Sequence, residues 1–319
     1  MEMSHTPSRI RQLNLRDLLD ELFRIFRNKF TTIMSATLTI DVPLLLLQLI
    51  LSIVTSFTTS QMILDPSSSP SRLMFGMLGA SLFSYLISFV RMFFTLPLLQ
   101  GSIVHISMHD LLDRTIGLKQ ALKLGLSNVL QLALTTLLIS VATVIVIAPF
   151  TCVFFFVLFA SLGTAGTSFG SSPSEMLGIF LIAAIVLIIL TLGVTLLFLP
   201  FMLYLPVICI ERTNAIDALT RSWRLVKGSY WRVVGYLIVV AILGGLLLYI
   251  PTILIIAAGY LLLDPTNPWL QPLTLFATTI GQLFYVPINV IACTLLYTDL
   301  RVRKEGFDME LNLRNATQA

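Results

Sequence analysis

Six long apolar stretches, separated by short polar segments, dominate the pattern of this chain. They cover approximately residues 31–60, 73–108, 129–161, 176–210, 233–263 and 269–298. A bilayer core about 30 Å thick requires about 20 helical residues to cross it, so each stretch is long enough to span a membrane. None shows the roughly ten-residue alternating segments of a transmembrane barrel, and a helix satisfies its own backbone groups in lipid. The pattern predicts an all-α integral membrane protein with six transmembrane helices.

The composition agrees with this prediction. Only 11% of the 319 residues are charged, whereas soluble domains carry about 25%. The apolar runs leave no room for a separate soluble domain, so we expect residues 1–319 to form a single membrane domain. The charged opening, residues 1–30, lacks the apolar core of a cleaved signal peptide.

The positions of the Lys and Arg residues predict the orientation. They concentrate in residues 1–30, 109–128, 211–232 and 299–319, whereas the alternate loops 61–72, 162–175 and 264–268 contain only Arg72. Because cytoplasmic loops are enriched in Lys and Arg, this distribution predicts that both termini are cytoplasmic. The basic pI of about 9.1 then reflects a surface facing anionic lipid, so the lipid bilayer is the expected partner and nucleic acid is not.

Two charged segments that precede apolar stretches are similar to each other. The sequence NLRDLLDELFRIFRNKF from Asn14 aligns at an offset of 200 residues with NAIDALTRSWRLVKGSY from Asn214. Each opens with Asn at a plausible N-cap, has Asp three residues later, and then places apolar residues at three- and four-residue spacing. This spacing predicts amphipathic helices lying in the inner membrane interface. A fainter and shorter copy begins at Thr115.

The second apolar stretch of each unit supports the same repeat. Pro97 precedes Asp110, Pro200 precedes Glu211, and Pro287 precedes Asp299, by 11 to 13 residues in each case. We therefore expect proline-kinked spans that end at an acidic residue on the cytoplasmic side. The prediction is three parallel pseudo-repeats, each an interfacial amphipathic helix plus two spans. Their bounds are 14–110, 115–211 and 214–299, and residues 300–319 form a cytoplasmic tail.

Aromatic and basic residues cluster where the third unit turns into its first span. They are Trp223, Arg224, Lys227, Tyr230 and Trp231. Trp and Tyr are enriched at membrane interfaces, so we expect this group to anchor the third interfacial helix.

Three stretches of the chain resemble the glycerophosphoryl diester phosphodiesterase membrane domain family of bacterial multi-span proteins. They are LRDLLDELFRIFRNKF, ERTNAIDALTRSWRLVKGSYWRVVG and LLYTDLRVRKEGFDMEL. The resemblance implies a helical domain of the bacterial cytoplasmic (inner) membrane, sometimes fused to a phosphodiesterase. It implies no catalysis here, because the phosphodiesterase itself is a separate α/β barrel.

Two charged residues fall inside the apolar stretches. Asp41 lies 12 residues after Lys29 and Arg91 lies 18 residues before His109, which at 1.5 Å per residue gives depths of about 18 Å and about 27 Å. Because charges in a membrane are costly and usually paired, Asp41 and Arg91 are the natural pair, although these depths differ. The alternatives are a structural pair, an Arg reaching the interface, or a functional site that handles protons or anions.

The sequence HISMHDLLD places His105, His109 and Asp113 on one helical face. Two such imidazoles can bind one metal ion, but no further ligand is evident, so a metal site is not expected and interfacial polar residues are the simpler interpretation. Five amides are candidates to line the interior of the bundle, either joining helices or forming a polar conduit. They are Gln48, Gln100, Gln131, Gln282 and Asn289.

The chain lacks a paired nucleophile and base, a phosphate-binding Gly loop and a four-ligand metal spacing. We therefore expect no enzyme activity and no cofactor. The favoured hypothesis is a scaffold or accessory module with a membrane or cytoplasmic protein partner. The alternatives are a transporter or channel-like protein for a small or amphipathic solute and, less favoured, a membrane-embedded lipid-modifying enzyme.

Overall fold

The computed structural model describes residues 12–64, 70–167, 173–264 and 267–307. No strand occurs within these ranges, and eleven α-helices follow one another in them. They are α1 (Leu15–Asn28), α2 (Phe30–Ile40), α3 (Val42–Leu64), α4 (Pro70–Val90), α5 (Leu96–Leu111), α6 (Leu118–Thr167), α7 (Pro173–Phe198), α8 (Tyr204–Glu211), α9 (Ala215–Val226), α10 (Tyr230–Leu262) and α11 (Leu270–Glu305).

Six segments of the described chain are long and apolar enough to cross a membrane. They are Val42–Ser60, Leu78–Leu111, Leu118–Cys152, Ile185–Glu211, Tyr230–Leu262 and Leu270–Glu305. This confirms the predicted all-α architecture and the number of spans. Two of them contain a local irregularity: a π-helical turn at Arg91–Thr95 and a 3₁₀ turn at Leu199–Leu203.

The prolines explain part of this irregularity, because proline donates no backbone hydrogen bond and clashes with the preceding turn. Pro97 follows the π-helical turn closely, and Pro200 lies within the 3₁₀ turn. Pro287 lies in the interior of α11, which continues through it as one helix. The predicted proline positions therefore coincide with a change of helix type in two of the three spans.

Helix α11 lies at the centre of the bundle, and half of the residues in its most apolar segment are buried. It packs against α10, α5, α3 and α1. We call the end of the bundle that contains Leu13 and Glu305 the inner end, following the predicted orientation, and the opposite end the outer end. The largest fully buried side chains include Leu18, Leu99, Leu203, Tyr236 and Tyr297. The tightest packing therefore lies towards the inner end.

The first and third units begin with separate charged helices. Helix α1 buries Leu18, Leu22 and Ile25 on one side, and the backbone N–H of Asn14 donates to Asp17 Oδ2 at 3.2 Å. Helix α9 likewise ends before a turn at Gly228, whose φ of 87° favours glycine. The middle unit differs, because α6 runs without a break from Leu118 through Thr167. The threefold repeat itself stays a prediction.

Several predicted boundaries fall in parts of the chain that the structure does not describe. Residues 65–69, 168–172 and 265–266 of the predicted outer loops lie outside the described residues. So do residues 308–319 of the predicted tail. The first part of that tail is helical, because α11 continues to Glu305.

Candidate functional site

Asp41 and Arg91 form a bidentate ion pair inside the bundle. Arg91 Nε donates to Asp41 Oδ1 at 2.8 Å, and Arg91 Nη2 donates to Asp41 Oδ2 at 3.0 Å. The same Nη2 atom donates to Gln282 Oε1 at 2.9 Å. The Asp41 side chain is only 1% exposed, and that of Arg91 is 15% exposed. The structure thus joins the two intramembrane charges predicted as a pair and adds Gln282 from α11.

Breaks in helix geometry position both charges. Asp41 lies between α2 and α3, two residues before Pro43, and Arg91 opens the π-helical turn that precedes α5. Turns of π-helix, such as the one at Arg91, are frequent at functional sites. Here the two breaks point an acidic and a basic side chain towards each other across the bundle, despite the different depths estimated for straight helices.

A polar cleft of about 310 Å³ lies in the outer half of the bundle between α3, α4 and α11. Its polar lining consists of Gln48, Ser52, Thr55, Ser84, Gln271, Thr274 and Thr278. Gln48 follows Asp41 by seven residues, Ser84 precedes Arg91 by seven, and Thr278 precedes Gln282 by four. These spacings place the lining on the same helix faces as the ion pair. The residues of the Asp41–Arg91–Gln282 cluster do not line the cleft, but they lie on these faces one or two turns closer to the inner end.

The hydroxyls of the cleft differ in how they are satisfied. Thr55 donates to Ser52 O at 3.0 Å, and Thr274 donates to Gln271 O at 2.7 Å, within their own helices. The Ser52 hydroxyl is buried and has no hydrogen-bond partner among the described residues. An unsatisfied hydroxyl beside a cleft of this size indicates a place for water or for a polar ligand.

At the inner end, each of the three acidic residues predicted to mark a span exit is paired with a cation. Asp110 lies 3.5 Å from Lys29, Glu211 lies 3.0 Å from Arg221, and Asp299 lies 3.0 Å from Arg232. Each of these cations lies outside the span that carries the acid, so each pair joins two different segments of the chain. The sequence indicated the acids, but it gave no signal for their partners.

The pair at Glu211 is part of a larger network. Arg221 also contacts Glu305 at 2.5 Å, and Tyr297 donates to Glu211 Oε1 at 2.7 Å. The hydrogen bond to Glu305 raises the pKa of the Arg221 guanidinium above its ordinary value. Arg221 therefore remains charged and joins the start of the third unit to the end of α11. Such partly exposed networks stabilise an arrangement of helices more than they perform chemistry.

The histidine face does not assemble a metal site in the described part of the chain. His105 Nε2 lies 3.3 Å from Asn128 Nδ2, and His109 Nδ1 lies 2.8 Å from the carbonyl oxygen of His105. Asp113 lies in the turn after α5 with a φ of 54°. Among the described residues, no group of three or more His, Cys, Asp or Glu side chains is placed to hold a metal ion.

The predicted anchoring residues have mixed environments. Trp231 is 80% exposed, and Trp223 stacks on Phe201 with ring centroids 5.8 Å apart. The Tyr230 hydroxyl instead donates to the Leu196 carbonyl oxygen at 2.9 Å within the bundle. The backbone carbonyl oxygen of Lys227 accepts a hydrogen bond from Lys304 Nζ, and the Arg224 side chain is exposed. Their anchoring role stays a prediction.

Three of the five amides proposed for the interior reach a polar site. Gln282 accepts a hydrogen bond from Arg91, Gln48 lines the outer cleft, and Gln131 lines a second cavity at the inner end. Gln100 and Asn289 are partly buried and line neither cavity. Sequence reasoning missed the cleft hydroxyls, although the spacing of Gln48, Ser52 and Thr55 is a signal that could have indicated a polar helix face.

Comparison with known proteins confirms part of the family resemblance. The family model for the membrane domain of glycerophosphoryl diester phosphodiesterase matches residues 174–315. The match includes the second and third stretches that suggested the resemblance, and the first lies outside it. No curated protein and no solved structure matches the chain.

Proposed function

We propose that this protein is a non-enzymatic, multi-pass protein of the bacterial cytoplasmic membrane that transports a small polar or amphipathic solute through its outer cleft. The observation that carries the proposal is the polar cleft, whose lining shares helix faces with the Asp41–Arg91–Gln282 cluster one or two turns closer to the inner end. Polar and ionisable groups at membrane depth are expensive and commonly mark solute pathways.

The shape of the bundle supports an entrance from the outer side. The cleft lies in the outer half. The core of the inner half contains buried side chains such as Leu99, Ile103 and Leu203, and the cavity at the inner end shares no lining residue with the cleft. Transporters typically bind their solute near the middle of the membrane, with one side open and the other closed. The arrangement fits an outward-open state with the ion pair at the base of the entrance.

The chemistry of the cleft favours a neutral or zwitterionic solute. Asp41 and Arg91 neutralise each other, and the remaining polar lining consists of amides and hydroxyls. These groups donate and accept hydrogen bonds without net charge. A scaffold would have no need for such a lining inside the membrane, so the transporter alternative is now favoured over the scaffold hypothesis.

The orientation and the repeat belong to the same proposal. The concentration of Lys and Arg at the inner end supports cytoplasmic termini. Helix α9 is followed directly by the membrane-crossing helix α10, and α1 is followed by the short apolar helix α2 and then by the first span. Both arrangements support interfacial amphipathic helices in the first and third units. The pairing of Asp110, Glu211 and Asp299 with cations supports three related units.

Osmotic swelling of proteoliposomes tests the transport proposal, with glycerol and glycine as a neutral and a zwitterionic probe. Stopped-flow light scattering should show faster volume recovery for the wild type than for empty liposomes with at least one probe. Ser52→Leu fills the cleft and should slow the recovery, whereas Val54→Leu, at a lipid-exposed position of the same helix, should not. Equal recovery by wild-type and empty liposomes with both probes would contradict transport.

A second candidate function is an accessory module for an enzyme. It is favoured by the description of the matching family, which is the membrane domain of a phosphodiesterase. In this case the chain would position a separate enzyme at the membrane, and the paired inner end would form the contact. Purification in mild detergent followed by identification of co-purifying chains tests this; a protein that purifies alone under these conditions contradicts it.

A further inference from the structure

A cavity of about 660 Å³ lies at the inner end, between the first turns of α6 and the turn that joins α8 to α9. Helix α6 contributes Gln120, Lys123 and Asn128 to its lining, and the turn contributes Arg212, Thr213 and Asn214. The cavity shares no lining residue with the outer cleft. It is therefore a separate site, and its role does not depend on transport.

The cavity is electropositive. Lys123 and Arg212 line it, and none of its lining residues is acidic. Other cations of the inner end, such as Arg221 and Arg232, are neutralised by ion pairs to carboxylates. Within the described ranges, no ion pair joins Lys123 or Arg212 to an acidic residue, so their charge is available to an anion.

The local structure also provides hydrogen-bond donors. Helix α8 ends at Glu211, and Arg212 adopts a left-handed φ of 52° while its N–H donates to Ile208 O at 3.1 Å. The chain then reverses through Thr213, whose hydroxyl is buried and has no partner in the described part of the chain. Asn214 leads directly into α9, and the first N–H groups of a helix favour an anion.

We propose that this cavity binds a phosphate oxyanion, carried either by the headgroup of an anionic lipid or by a small phosphate compound. A phosphate group matches two cations and several donors, because its oxygens accept multiple hydrogen bonds. The inner end is also where the headgroups of a membrane would lie, and basic pockets between helices at this level bind anionic headgroups.

Binding measurements on the intact protein in nonionic detergent test the proposal in two arms. The first measures retention of phosphatidylglycerol against phosphatidylcholine by native mass spectrometry. The second measures the shift of the unfolding temperature by inorganic phosphate against chloride at constant ionic strength. The test variant is Lys123→Gln with Arg212→Gln. The matched control is Lys119→Gln with Arg114→Gln, which removes two exposed cations of the inner end that do not line the cavity.

We expect the test variant to lose at least tenfold in affinity in one arm, while the control variant binds as the wild type does. Loss only with phosphatidylglycerol identifies a lipid headgroup, and loss only with inorganic phosphate identifies a soluble ligand. Lys123→Arg with Arg212→Lys should restore binding and shows that charge, rather than folding, is responsible. The proposal is overturned if the wild type prefers neither anionic probe, or if the test variant binds both as well as the wild type.

Discussion

Arg232, at the start of α10, and Asp299, in α11, form an ion pair of 3.0 Å at the inner end of the bundle. The Asp299 carboxylate also accepts the backbone N–H of Leu13 at 2.9 Å and Arg303 Nε at 3.1 Å. Arg232 and Arg303 both donate to the carbonyl oxygen of Leu13, at 2.5 and 2.8 Å. One carboxylate therefore ties the segment before α1 to the last two spans.

Replacement of Asp299 by Asn should destabilise the protein markedly. The amide keeps the size of the side chain but leaves two guanidinium groups without a counter-charge. Breaking a buried pair costs about 3–5 kcal/mol, and the Arg232 and Arg303 side chains are 30% and 28% exposed, so we expect the lower end of this range. Thermal unfolding in detergent measures the effect. Asp20→Asn, at an exposed position of α1, is the control, and an unchanged unfolding temperature for Asp299→Asn would contradict the stabilising role of the contact.

Asp41 and Arg91 should be strongly coupled in a double-mutant cycle. Asp41→Asn leaves a cation and Arg91→Gln leaves an anion inside the bundle, and each should cost about 3–5 kcal/mol of stability. The double variant removes both charges and should be more stable than the sum of the single effects predicts. Thermal unfolding of the four proteins in the same detergent gives the coupling. Additive effects would show that the contact at 2.8 Å does not stabilise the bundle.

The two charges could be predicted to pair because lipid leaves a buried ion few other partners. Their depths could not be predicted, since the estimate assumed straight helices counted from Lys29 and from His109. In the structure, the first apolar stretch instead divides into two helices at Asp41, and the second contains a π-helical turn that begins at Arg91. Hydrophobicity alone predicted the six spans, because it acts over whole segments and tolerates such local irregularities.

The lining of the cleft was less visible in the sequence for a physical reason. Ser and Thr hydroxyls satisfy themselves on their own helix, as Thr278 does with the carbonyl of Thr274 at 3.0 Å, so they occur throughout membrane helices without marking a site. The cations that pair with Asp110 and Glu211 were hidden for another reason. Which cation meets which acid depends on how helices that are distant in sequence pack together, and no local sequence pattern reveals that packing.

If the cleft contains water, a thiol placed at Ser52 should react with a membrane-impermeant reagent. The background for this test replaces Cys152, Cys209 and Cys293 by Ala. Ser52→Cys should be labelled by a charged methanethiosulfonate added outside, because residue 52 lines the cleft. Val54→Cys should not be labelled, because that side chain is 52% exposed on the lipid-facing surface of the bundle, where the thiol stays protonated and unreactive. Equal labelling of the two positions would contradict a hydrated cleft.

Helices α5 and α6 approach closely at Gly125, and this contact should not tolerate a methyl group. A Cβ atom at Gly125 would lie 2.9 Å from the carbonyl oxygen of Leu98 and would collide with the Ser102 hydroxyl. Ser102 itself donates to that carbonyl at 2.8 Å, so it has little freedom to move. Gly125→Ala should therefore separate the helices at a cost of about 1–3 kcal/mol and lower the unfolding temperature. Gly235→Ala is the matched control, since a Cβ atom there meets nothing within 4 Å and alanine favours the helix. Equal unfolding temperatures for the two variants would show that the α5–α6 contact can relax.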